Sequence, residues 1–171
     1  MTRGAHDPAE RFARVAATIR DDLVNLERLV AEAVAASTRF AEAEPSRLEL
    51  RGIGAIVHDF YTGIERLFET IAPELNGGIP ASPSWHRELL QNMTLDLPGI
   101  RPPVVTKATA HLLGELLRFR HLFRNVYGFD LEWARLGALL GRLPVAGRAL
   151  RQDVERFLAF LDEASSPAPK G

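Results

Sequence analysis

The residues most suited to chemistry lie between Leu117 and Trp133, in the stretch LRFRHLFRNVYGFDLEW. On a helix, its cationic, imidazole, amide and phenol groups fall within about two turns. An arginine stabilises charge that grows on a phosphoryl group, a histidine moves protons, and a tyrosine or an asparagine orients the phosphate. The residues concerned are Arg120, His121, Arg124, Asn125 and Tyr127. Their types suit metal-free cleavage of a phosphodiester, and the same types are common on protein interfaces.

Arg120 lies in the middle of an apolar helix face. Apolar residues recur at spacings of three and four around it, namely Leu112, Leu113, Leu116, Phe119, Phe123, Val126 and Tyr127. A guanidinium cannot be neutralised by losing its proton, so an arginine on a buried stripe must meet an anion, other acceptors or a wet cleft. Either Arg120 forms a structural salt bridge while His121 and Asn125 face water, or the cluster is a functional site.

A second polar group follows one flank of the helix predicted from Arg47 to Glu74. Its members, at spacings of three, four and seven, are Arg51, His58, Tyr61, Thr62 and Glu65. Glu65 is the carboxylate predicted to pair with Arg120, and Asp59 on the opposite flank is a second candidate. His58 and Tyr61 either support this site or form a boundary pair packed against a neighbouring helix.

Start and stop signals divide the chain into helices. Asp7-Pro8 starts the first, and the break at Glu44-Pro45 is followed at once by a capping box of Ser46 and Glu49. The predicted helices span about residues 8 to 40 or 43, 47–74, 85–93, 104 or 106 to 127, 131–140 and 144–161. Long stretches with period-two alternation are absent, which predicts an all-α antiparallel bundle with short accessory helices.

Several single residues are expected to start or end these helices or to lie in the core. Ser84 is expected to cap the short third helix, and Gly128 to end the helix that carries Arg120. Asp130 is expected to cap the next helix, which Gly141 would end before Pro144 starts the last. The apolar stripes are expected to point Val34 and Val145 inward with the rest of the core.

Length, charge and cysteine content restrict the possible functions less than the motif does. The 171 residues suit one domain, expected over residues 7–163 between disordered ends at 1–6 and 164–171. A formal net charge of −1 gives no general attraction for nucleic acid or membranes, so any polyanion must be met locally. The chain has no cysteine, no signal-peptide pattern and no apolar run long enough to span a bilayer. These features predict a cytoplasmic protein without a membrane segment.

Common cofactor and metal patterns are absent from the sequence. It contains no His-x-x-x-His or Glu-x-x-His pair, no glycine-rich phosphate loop and no Gly-x-Ser-x-Gly elbow. The expected chemistry therefore uses neither a metal nor a cofactor, and rests on arginine, imidazole and amide groups.

Two stretches together resemble a known family. HDFYTGIERLFETIA, from His58 to Ala72, and RFRHLFRNVYGFDLEW, from Arg118 to Trp133, are similar to the HepT-like proteins of the HEPN superfamily. The resemblance implies a HEPN-type helical bundle, commonly a homodimer, and a metal-independent endoribonuclease toxin of a type VII (HEPN/MNT) toxin–antitoxin pair. It also implies an RNA substrate and an MNT-type nucleotidyltransferase antitoxin, which attaches adenylate to the motif tyrosine.

The HepT motif, Arg-x4-His-x-Tyr, is matched here by Arg120-x4-Asn125-x-Tyr127. The arginine and the tyrosine agree, with Tyr127 as the modification site, whereas Asn125 occupies the histidine position and His121 follows the arginine. Because positions 121 and 125 are one helical turn apart, the exchange keeps an imidazole within about 6 Å of its place in the family. The resemblance thus implies catalytic roles for Arg120, His121, Asn125 and Tyr127 and RNA contacts for Arg118 and Arg124. The alternative is a non-catalytic HEPN interaction module that binds a nucleotidyltransferase-like partner or a nucleic acid.

Overall fold

The computed structural model of the chain describes residues 7–125 and 131–166, and their side chains except those of 120–125. Within these residues there are five helices: α1 (Pro8–Arg39), α2 (Arg47–Leu75), α3 (Trp85–Asn92), α4 (Lys107–Asn125) and α5 (Trp133–Ser165). They contain no strand, only an isolated bridge between Leu97 and Arg101. The predicted all-α helical bundle is confirmed.

The first two helices start where the sequence predicts. The Asp7 side chain accepts a hydrogen bond from the Ala9 amide at 3.1 Å, and Pro8 occupies the first helical position. At the start of α2, the Glu49 amide donates to the Ser46 hydroxyl, and the Ser46 amide donates to the Glu49 carboxylate at 2.9 Å. This capping box satisfies amides that an α-helix leaves without internal partners.

The four long helices pack into one bundle. α1 packs against α2 and α5, α4 also packs against α2 and α5, and α2 and α5 contact each other. α3 contacts α2 and α4, whereas within the described residues α1 contacts neither α3 nor α4. The side chains that fill the interior come from all four long helices and include Ile19, Leu26, Phe60, Ile64, Leu113, Leu116, Leu150 and Phe157.

The C-terminal half of the prediction needs correction at α5. The expected break between Gly141 and Pro144 is wrong, because α5 is continuous and contains Pro144 in its interior. A proline there removes one helical hydrogen bond. Leu140, Leu143 and Ala146 around it are all buried, and this packing maintains the helix across the proline.

Three smaller expectations are also wrong. Val34 and Val145 were expected inside but are 47% and 49% exposed, because the buried stripes of α1 and α5 pass beside them. Ser84 makes no side-chain cap for α3. Its hydroxyl instead donates to Glu88 at 2.6 Å, as does that of Ser82 at 2.5 Å.

The domain limits are only partly within the described residues. α5 continues through Ser165, slightly beyond the expected domain end at residue 163. The predicted disordered segment 1–6, and residues 167–171 of the predicted tail, lie outside the described residues. Gly128 and Asp130, the predicted helix end and cap, lie outside them as well.

The start of α4 is fixed by two buried polar groups. Asp153 of α5 accepts from the amide of Thr106 at 2.7 Å and from its hydroxyl at 3.0 Å. Arg101 is 2% exposed and donates to the Asn76 side chain at the end of α2 and to three backbone carbonyls. These contacts place the beginning of α4 close to the carboxyl end of α2. Because α4 also packs along α2, it runs back antiparallel to it.

Candidate functional site

The described part of the predicted site segment, Arg118–Asn125, forms the last turns of α4, which packs against α2. Glu65 precedes the end of α2 by about three turns, and Arg118 follows the start of α4 by about three turns. Because α2 and α4 pack against each other, the fold brings together the two helices that carry the segments singled out in the sequence.

Tyr61 and Glu65 of α2 form the buried part of this region. Tyr61 is fully buried, and the Glu65 side chain is only 4% exposed. They are four residues apart and therefore share one face of the helix. A carboxylate buried to this degree is costly unless it is paired and hydrogen-bonded. Glu65 is therefore a residue whose presence requires specific partners.

The described partner of Glu65 is His86, on the short helix α3. His86 Nδ1 lies 2.5 Å from Glu65 Oε1, and the His86 side chain is 18% exposed. The ring of Trp85 packs against that of His86 in a tilted arrangement, with centroids 3.5 Å apart and planes at 34°. The imidazole is therefore held on one side by a carboxylate and on one face by an indole.

The sequence alone does not point to His86. The contact joins residues on different helices, and its formation depends on the path of the irregular connection between them. The available signal was the Trp85-His86 pair at the start of a short amphipathic helix, directly after a turn region rich in serine and proline. A histidine at the start of a short helix predicts a contact only when the residue that it would meet is already known.

The rest of the predicted α2 flank does not form a single surface. His58 is half-buried, and its Nδ1 lies 3.1 Å from the exposed carboxylate of Asp59. Arg51 and Thr62 are exposed, in contrast to the buried Tyr61. Asp59 is therefore a surface partner of His58. Tyr61 is a core residue, and the predicted boundary pair of His58 and Tyr61 holds only for His58.

Of the predicted α4 site, Arg118 is the residue whose side chain is described, and it is exposed. The side chains of Arg120, His121, Arg124 and Asn125 lie outside the described residues, as does the whole of Tyr127. The predicted ion pair between Arg120 and Glu65 therefore stays a prediction. It is compatible with the His86 contact, since a carboxylate has two oxygens and accepts several hydrogen bonds.

Among the described residues, no group of three or more His, Asp or Glu side chains is arranged to hold a metal ion. In the same part of the chain, no helix is long and apolar enough to cross a membrane. A shallow open groove of about 360 Å³ is lined by residues 96–102 and Phe160, and it includes none of the predicted site residues.

The described residues form an all-α bundle in which the Glu65 carboxylate contacts the His86 imidazole, and the arginine-rich helix α4 packs on α2 and α3. A family model described as HepT-like protein matches residues 52–161, and the chain belongs to this family. The matched region contains both stretches on which the resemblance rests, and it includes α3 with His86. Comparisons with curated proteins and with solved structures found no match.

Proposed function

We propose that this chain is the toxin of a bacterial type VII (HEPN/MNT) toxin–antitoxin pair and acts as a metal-independent endoribonuclease. One observation carries the proposal: the HepT-like match spans α2, α3 and α4 together, including the Arg120-x4-Asn125-x-Tyr127 segment. The packing of α4 on α2 supports it, because α2 carries the buried Glu65 and α4 carries Arg118 and Arg120.

The residues of α4 divide by their chemistry. Arg120 stabilises charge on the phosphoryl group, and His121 transfers a proton. Asn125 and Tyr127 orient the phosphate by hydrogen bonds, while Arg118 and Arg124 attract the RNA backbone. Arg118 is exposed, as a residue that meets a polyanion must be.

The proposed active form is a homodimer in which the two Arg118–Tyr127 segments face each other across a cleft. A chain with a formal net charge of −1 has no general affinity for RNA. A cleft formed by two chains contains two copies each of Arg118, Arg120 and Arg124, which together make a local basic surface. An isologous pairing is the commonest way to form such a dimer.

The direct test is cleavage of RNA by the purified chain in the presence of EDTA. The wild type is expected to cut, and His121→Ala is expected to lose about 10²–10⁴-fold in rate because a positioned proton-transfer group contributes that much. Asn125→His restores the residue type of the family motif and is expected to keep or raise activity. The matched control is His111→Ala, which removes an exposed histidine two to three turns earlier on the same helix.

A second test concerns regulation by the partner. If the chain is a toxin, co-expression with an MNT-type nucleotidyltransferase should attach adenylate to Tyr127 and suppress toxicity. Intact-mass spectrometry of wild type and Tyr127→Phe checks this, with the added mass expected only in the wild type. An unmodified, toxic wild type in the presence of a genuine partner would contradict the regulatory part of the proposal.

The second candidate function is a non-catalytic HEPN module that binds a nucleotidyltransferase-like partner or a nucleic acid. The presence of Asn125 at the histidine position favours it. It predicts that the wild type cuts no RNA in EDTA, that Asn125→His gains activity, and that Tyr127 carries no adenylate. The cleavage assay therefore separates the two candidates with the same set of proteins.

A further inference from the structure

We draw no further inference here: the strongest candidate, the shallow apolar groove between the turn of residues 96–102 and Phe160 of α5, carries none because nothing in the described part of the structure shows what covers it.

Discussion

At the scale of single residues, Asp22 shows how burial changes the behaviour of a carboxylate. It lies on α1 facing α2, is 6% exposed, and has Arg66 Nη2 at 3.1 Å from its Oδ1. Burial raises the pKa of Asp22, while the charge of Arg66 and its hydrogen bond oppose that rise. Arg66 is largely exposed, so it offsets the desolvation only in part.

This raised pKa predicts a specific pH dependence of stability. Between the usual Asp value near 3.8 and the raised pKa, the folded state holds more protons than the unfolded state. The contribution of Asp22 to the free energy of unfolding therefore falls as pH rises through that window and is constant above it. Asp22→Asn should lack this fall, which urea unfolding at a series of pH values above 3.8 would reveal.

The matched control for that measurement is Asp162→Asn, which also removes an aspartate paired with an arginine between helices. Asp162 pairs with Arg20 across α1 and α5, but its side chain is 54% exposed. Its substitution shows how much the loss of an exposed ion pair alone changes the free energy of unfolding. Parallel profiles for wild type and Asp22→Asn would show that Asp22 does not contribute.

The sequence predicts which helix positions belong to the site better than it predicts which side chains contact each other across two helices. Glu65 could be singled out because its position on the α2 flank follows from helical periodicity alone. His86 could not, because its distance from Glu65 depends on how the connection from Asn76 to Ser84 folds back, and that segment has no periodic pattern. Local rules predict which residues share a face of one helix, but not which residues meet across two helices.

At the scale of the helices, local rules predict where a helix starts better than whether it continues through its interior. Capping residues act within one turn, and Asp7, Ser46 and Glu49 behave as predicted. Pro144 is a local helix breaker, yet α5 continues through it because leucines on both sides are buried against the bundle. Tertiary packing here outweighs a local preference of about 3 kcal/mol.

Two glycines of α5 allow packing and helix propensity to be measured separately. A Cβ atom on Gly147 would lie 2.7 Å from Val30 Cγ2 of α1, whereas one on Gly141 would have no neighbour within 4 Å. Valine in a helix has essentially one rotamer, so Val30 cannot turn aside. Gly147→Ala is therefore expected to destabilise the fold by about 1–3 kcal/mol. Gly141→Ala is expected to stabilise it by about 0.5–1 kcal/mol.

Chemical denaturation of the two alanine variants checks this expectation, since their midpoints should move in opposite directions from that of the wild type. Equal stabilisation of both variants would mean that α1 and α5 separate slightly at no cost. In that case the close approach at Gly147 would not be a determinant of the fold.

At the scale of the whole molecule, the proposed cleft requires two copies of the chain. Light scattering on the purified protein at tens of micromolar should give about twice the chain mass of 18.9 kDa. The combined variant Arg118→Glu and Arg124→Glu should weaken RNA binding strongly, because each change reverses a charge in both halves of the cleft. A monomer that still cleaves RNA would rule out a composite cleft and would leave the single-chain site as the active unit.

The packing of α1 separates it from the rest of the family match. α1 lies outside the region matched by the HepT-like family, and it packs against α2 and α5. Ion pairs join it to them, including Arg20 with Asp162 and Arg39 with Glu49. Within the described residues it touches neither α3 nor α4. A partner that docks on α3 or α4 alone can therefore bind without displacing α1.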